Sequence, residues 1–292
     1  MREIPRTAAD RDGRREVADA MSDIVQRETV RRDAGQDEIV RGAVVIRPGT
    51  AEPGSVRIRA YKAGVLVADA DPPLLVWEHR FYPQYFFAPV ELRVGLRPAG
   101  TGRRSRSLGP GELFDVVVPD GVGETVLAGA AQRYPQAPVV ALRDAVTLDW
   151  SALDTWLAEE EVIHTHARDP YVRVDAMPSN RHVRVVAGGE VVAESRRPVV
   201  LVQTGQPPRY YLPQVDVRMD LLTPTDTVSY CAYKGTAAYW TLDVAGLRLR
   251  DVVWGYDTPL REGLRIAGMV CFWQEKNADL EVWVDGVRVG RP

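Results

Sequence analysis

The sequence predicts a mainly β protein built as two tandem antiparallel domains with a few short helices, and three observations carry that expectation. From Gly42 onward apolar and polar residues alternate at period two, as in Val56-Arg57-Ile58-Arg59-Ala60-Tyr61. Turn signals such as Pro48-Gly49 and Lys62-Ala63-Gly64 separate the runs, so strand follows strand with no helix between. The third observation is a repeat: the run from Ile58 to Asp69 recurs from Val183 to Glu194, at an offset of about 125 residues. The register then holds without a gap, Pro73 falling on Pro198, Pro83 on Pro208, Tyr85 on Tyr210, Phe86 on Tyr211, Glu91 on Asp216, Arg93 on Arg218 and Leu96 on Leu221. Chance does not preserve such an order of prolines, aromatics, acid and arginine.

Taken in order, residues 1–40 are dense in charge, and Val17, Met21, Ile24 and Val25 recur at helical spacing between Asp12 and Arg32. An amphipathic helix or arm is expected there, lying on its own domain or binding a partner. The first copy spans residues 41–160 and the second 161–292. With one residue of slippage Gly109 lies opposite Gly235 and Phe114 opposite Trp240, yet Ser105 and Leu108 stand where the second copy has Cys231 and Lys234. The first copy also carries an Arg/Ser/Gly-rich stretch, Gly100 to Gly111, which reads as a mobile loop. Trp150, Leu153 and Leu157 share one helical face behind Asp149 as N-cap, so a short helix is expected to close this copy, with Glu159-Glu160-Glu161 as its solvated end. The second copy is expected to open with a strand from Val162 to Asp175. It closes with Leu280 to Val284 and an Asp285-Gly286 turn before a last short strand.

A chain of 292 residues with 45% hydrophobic composition buries a substantial core. Its net charge of -3, with arginines interleaved among acids, argues against a nucleic-acid partner. No run approaches the roughly 18 apolar residues of a membrane span, and the N-terminus lacks the apolar core of a secretory signal. A soluble, cytoplasmic protein without a membrane partner is expected. The two cysteines, Cys231 and Cys271, fit a reducing compartment with free thiols.

Chemistry concentrates in Tyr230-Cys231-Ala232-Tyr233-Lys234-Gly235, followed by Tyr239 and Trp240. A turn between Cys231 and Lys234 would bring thiol and ammonium together, favouring the thiolate and offering an anion site, and Gly235 would let a ligand approach the backbone. The plainer alternative is an inert cysteine beside a surface lysine. No histidine is near enough in sequence for a Cys-His pair, and Cys271, in an apolar run, reads as core. Arg209, Tyr210, Tyr211 and Asp216 either orient an anionic or carbonyl ligand or pack and pair structurally. Trp254, Tyr256 and Trp273 either line an apolar pocket with polar tips or belong to the core. His164 and His166 would share one side of a strand, with Asp169 three residues on, but a third strong metal ligand at fixed spacing is missing. Gly54-Ser55 with Asp69 and Asp71 superficially resembles a nucleotidyltransferase metal pair. There, however, the serine opens a helix, and here a strand follows. No metal and no cofactor is assigned.

Arg209-Tyr210-Tyr211-Leu212-Pro213, Asp216-Val217, Cys231-x-x-Lys234-Gly235-x-Ala237-x-Tyr239, Trp254-x-Tyr256-x-x-Pro259, Ile266-x-Gly268-x-Val270-x-Phe272 and His166-x-Arg168-Asp169-Pro170-Tyr171 resemble the family of domain of unknown function 427. The resemblance covers essentially all of the second copy, and Trp77-Glu78 with Pro83-x-Tyr85-x-Phe87 makes the first a degenerate copy. Ala232 stands where proline is usual in that family. The resemblance implies a β-tent fold, also used by methionine sulfoxide reductase B and the thalidomide-binding domain of cereblon. Many such relatives hold zinc through two Cys-x-x-Cys pairs, and this chain has neither. One name attached to the family mentions nucleotidyltransferase, for which these residues offer no mechanism.

The functional expectation is a small-molecule enzyme whose site lies in the second copy. Lys234 and Cys231 would be its catalytic residues, and Arg209, Tyr210, Tyr211, Asp216, Gly235, Tyr239, Trp254, Tyr256 and His166 would bind the ligand. The alternatives are a non-catalytic ligand-binding module, or a scaffold whose first copy and N-terminal arm assemble a homo-oligomer.

Overall fold

The structure is a computed structural model and describes residues 39–41, 44–79 and 81–290. The amphipathic helix expected between Asp12 and Arg32 lies outside the described residues. The chain divides into two compact units that meet in sequence between Tyr171 and Val172. Among the described residues both are antiparallel β structures with only short 3-10 turns, as the alternation predicts. No helix among the described residues is long and apolar enough to cross a membrane.

In the first unit a seven-stranded sheet runs in the spatial order Thr50–Pro53, Leu74–Trp77, Gln84–Phe87, Val146–Leu148, Glu124–Arg133, Glu112–Pro119, Gly95–Thr101. A four-stranded sheet runs Glu161–Ile163, Thr155–Ala158, Ile58–Lys62, Val65–Ala70. The second unit repeats both. Its large sheet runs Val174–Pro178, Val199–Gln203, Arg209–Pro213, Met269–Phe272, Leu247–Gly255, Gly235–Val244, Leu222–Cys231. Its small sheet runs Glu190–Ser195, Val183–Ala187, Leu280–Val284, Val287–Val289. Strand for strand, the sheet orders of the two units are the same, so the duplication extends to the whole topology.

The alternation shows why these segments pair. Val183, Val185 and Ala187 are buried at every second position and face Val284, Val282 and Leu280 of the neighbouring strand. From the large sheet Leu212, Leu242, Val253, Val270 and Phe272 close the same core. Burying each such side chain contributes about 1.5–3 kcal/mol, so a one-residue slip that turned the set outward would cost the unit its core. Asp285 and Gly286 both take positive φ (51° and 81°), the conformation a two-residue hairpin needs.

The opposite face of the large sheet is covered too. The strand Arg209–Pro213 pairs through residues 209–211 with Val199–Leu201, and through Leu212 and Pro213 with Val270 and Met269. Val174, Ala176, Val199 and Leu201 pack with Tyr211, Tyr239, Trp254 and Tyr256 in a second core. A 3-10 segment, Arg261–Ile266, adds Ile266. This aromatic core positions the candidate site.

Four expectations need correction. The helix expected behind Asp149 is one 3-10 turn, Trp150–Ala152, with Asp149 accepting from Ser151 N, followed by the strand Thr155–Ala158. Pairing with Ile58–Lys62 overrides the helical spacing, and Trp156 is buried. The acidic run is a hairpin turn, with Glu159 accepting from Arg57 N at 2.9 Å and Glu160 pairing with Arg59 at 2.7 Å. The alternating stretch from Val162 to Asp175 is not one strand: Glu161–Ile163 and the chain to Tyr171 belong to the first unit, and Val174 begins the strand Val174–Pro178 of the second. Finally, the stretch Gly100 to Gly111 is anchored rather than free, because Leu108 is fully buried among Val76, Phe86, Tyr134 and Leu142.

Candidate functional site

The strands Leu222–Cys231 and Gly235–Val244 form a hairpin whose turn is Ala232-Tyr233-Lys234, closed by pairing of Cys231 with Gly235. Gly235 has φ +90°, open to glycine, and a Cβ there would lie 3.4 Å from both the Cγ and the backbone nitrogen of Leu260. Leu260 N in turn donates to Lys234 O at 3.1 Å. The positive φ of the turn is therefore what favours glycine here, since a Cβ would meet Leu260 at an ordinary contact distance. Ala232 and Tyr233 are buried, and Cys231 and Lys234 are half-buried.

Lys234 Nζ donates to Gln203 Oε1. Among the described residues no carboxylate pairs with Lys234. A neutral amide satisfies one donor of an ammonium but does not neutralise its charge, which a partly desolvated site favours neutralising. The corner is therefore disposed to accept an anion.

Beside it stands an aromatic wall, built by cross-strand register. Tyr211 lies on the same sheet face as Cys271, Trp254 and Tyr239. Trp254 Nε1 donates to Tyr211 Oη at 3.0 Å, and Tyr239 Oη shares a hydrogen bond of 2.8 Å with Ser229 Oγ. Burial pushes the Tyr239 phenol up to about 12 and those of Tyr211 and Tyr256 well above their ordinary value. All three remain protonated donors at neutral pH. Cys231 is close enough that its negative charge would raise each of them further. Burial also pushes the Cys271 thiol up to about 12, in keeping with a core role.

Other candidates are committed elsewhere. Tyr210 alternates to the opposite face and packs in the inter-sheet core. Arg209 Nη1 lies 2.8 Å from both Glu275 oxygens, with its guanidinium 5.7 Å from the Trp254 ring centre. Asp216 accepts from Ser195 Oγ at 2.7 Å and from Arg197 at 2.8 and 3.0 Å, and Arg197 holds its carboxyl below the usual range. A shallow cleft is lined by Arg209, Tyr210, Cys271, Gln274 and neighbouring strand residues, and includes none of the turn residues.

His166 lies in the first unit, stacked on Tyr82 at 4.2 Å with Nδ1 2.7 Å from Ala167 O, and burial lowers its pKa. His164 and His166 do not share a strand, and buried Asp169 accepts from Trp77 Nε1 and Tyr171 N, each at 2.9 Å. Asp69 is held by Arg57 through two contacts of 2.7 Å. Among the described residues no three His, Cys, Asp or Glu side chains gather as a metal site.

The same corner of the first unit is built differently. Ser105 and Gly109 close a three-residue turn through mutual backbone hydrogen bonds of 2.9 and 3.1 Å, and Gly109 has φ +91°. Leu108 takes the place of Lys234. Glu78 takes the place of Gln203 and accepts from Ser105 Oγ and Ser107 Oγ. Strand register further equates Phe86 with Tyr211, Leu113 with Tyr239 and Gln132 with Trp254. Sequence reasoning missed the Glu78/Gln203 pair of positions, although the repeat offset superimposes them.

The chain matches the family described as domain of unknown function 427 over residues 50–159 and again over 175–286. These two matches span most of its length, and the protein belongs to that family as a tandem duplication. No curated protein matches it.

Proposed function

We propose that this member of the domain of unknown function 427 family binds a small molecule in its second copy, with Lys234 as the anchor for an anionic or carbonyl group. One observation carries the reading: Lys234 is half-buried and has only a neutral amide partner among the described residues, while the first copy fills the equivalent position with buried Leu108. Metabolite capture on the purified protein, read by mass spectrometry, tests it. A small molecule retained by the wild type and lost in a folded Lys234→Met variant is the expected result. Equal retention by both would remove Lys234 from the site.

Half-buried Cys231 of the same hairpin favours a second reading, in which the site is an enzyme and Cys231 attacks a carbonyl held by Lys234. A thiolate-selective reagent at neutral pH separates the two. Rapid modification of Cys231 supports catalysis, and sluggish modification supports binding alone.

A further inference from the structure

We propose that the group bound at Lys234 is a carboxylate, a refinement that rests on Lys234 being the anchor of a small-molecule site. The first copy supplies the reasoning because it contains a carboxylate of its own at this corner. Glu78 presents one oxygen to Ser105 Oγ and the other to Ser107 Oγ, so each oxygen of a planar anion meets one donor. Ser105 Oγ accepts from Leu108 N at 2.9 Å and from Ser107 N at 3.1 Å, which leaves its proton to point at Glu78. Ser105 itself is buried. This corner of the fold therefore already holds a carboxylate, with donors supplied by the hairpin turn.

In the second copy both sides of that pair have changed. The residue at the end of the second strand is Gln203, nearly the shape of glutamate but without its charge, and the turn now offers an ammonium instead of hydroxyls. The anion has gone and a cation has arrived. A carboxylate brought by a ligand restores the arrangement that the first copy makes internally, now with a charge-assisted hydrogen bond.

Three probes of one size distinguish the ligand chemistries: benzoate, its neutral analogue benzamide, and phenyl phosphate. Each is titrated into the full chain and followed by NMR, with melting temperatures recorded for every variant to establish folding. Benzoate is expected to bind at least about tenfold more tightly than benzamide, the difference one charged hydrogen bond supplies. Gln203→Glu places a tethered carboxylate against Lys234 and should weaken benzoate at least about tenfold, while Gln203→Ala stays within about threefold of wild type. Phenyl phosphate binding more tightly than benzoate, with both lost in Lys234→Met, would overturn the carboxylate assignment and leave the site standing. Benzoate binding that is indifferent to both Lys234→Met and Gln203→Glu would remove the site itself. Failure of benzoate to bind the wild type would also overturn the assignment.

Discussion

The two hairpin turns, Ser105 to Gly109 and Cys231 to Gly235, share a backbone and differ in almost every side chain. Both close a three-residue loop on a glycine of φ near +90°, and both bond to equivalent positions, Glu78 in the first copy and Gln203 in the second. In the first copy the loop completes a core: Leu108 is fully buried, and Glu78 binds two serine hydroxyls. In the second the loop presents Lys234 and Cys231 half-buried, with Lys234 donating to the neutral amide of Gln203. The difference teaches that the turn geometry belongs to the fold, whereas the charge belongs to one copy. Gly235 is therefore a fold residue, and Lys234 is the one whose presence the fold does not require.

Removing the last side chain of each loop should expose that contrast most strongly. Leu108→Ala should destabilise the first unit by about 2–5 kcal/mol, as expected for truncating a fully buried leucine. Lys234→Ala should change the second unit by no more than about 1 kcal/mol. Urea titrations followed by hydrogen exchange in each unit would read both, and comparable losses would mean that Lys234 is structural after all.

A smaller effect is expected where the aromatic walls differ. Tyr211→Phe writes the first copy's residue into the second and leaves the buried Trp254 N–H without its acceptor, at a cost of about 1–3 kcal/mol. Tryptophan fluorescence during unfolding would follow it. An unchanged midpoint would show that the hydrogen bond contributes nothing to the wall.

The smallest expected effect depends on pH. Burial raises the Glu78 carboxyl above its ordinary range, so its contribution to stability is complete in acid and is lost as pH rises through the raised value. Asp216 runs the other way, since its pairing with Arg197 stabilises above the ordinary carboxyl range and is lost as pH falls. Glu78→Gln should therefore gain on wild type more at about pH 7 than at about pH 4. Exchange rates of first-unit amides at the two values would show it, and the opposite trend would mean the serines favour the charged carboxylate enough to outweigh burial.

Much of this architecture was legible in the sequence because period-two alternation and a constant repeat offset are both local, countable signals. Pro73 on Pro198 and Phe86 on Tyr211 anticipated the matching sheets. The same offset, carried to the end of each copy, would have placed Thr155–Ala158 on Leu280–Val284 and shown a strand where helical spacing suggested a helix. That region was misread because a short run with Trp150, Leu153 and Leu157 fits either period, and strand pairing with Ile58–Lys62 decides it. The turn residues were legible as a site because two copies could be compared. Their partners were not, since three strands of the sheet separate Val199–Gln203 from Gly235–Val244, and no spacing in the sequence shows that Gln203 nevertheless reaches Lys234. His166 looked like a site residue from its place in a motif, and its contacts, Tyr82 and Ala167, belong to the first unit.

The chain contains three lysines, Lys62, Lys234 and Lys276, which makes amine footprinting a direct test of where a ligand binds. Lys62 pairs with Asp154 at 2.8 Å, and Lys276 lies over the Trp273 ring at 5.2 Å, so both serve as internal references. The full chain would be acetylated with and without the small-molecule fraction of a cell extract, and modification at each lysine quantified by peptide mass spectrometry. Slowing at Lys234 alone, by about tenfold or more, is the predicted result for a bound anion on its ammonium. Unchanged modification at Lys234, or protection at Lys62 or Lys276 instead, would contradict a ligand site at the second copy's turn.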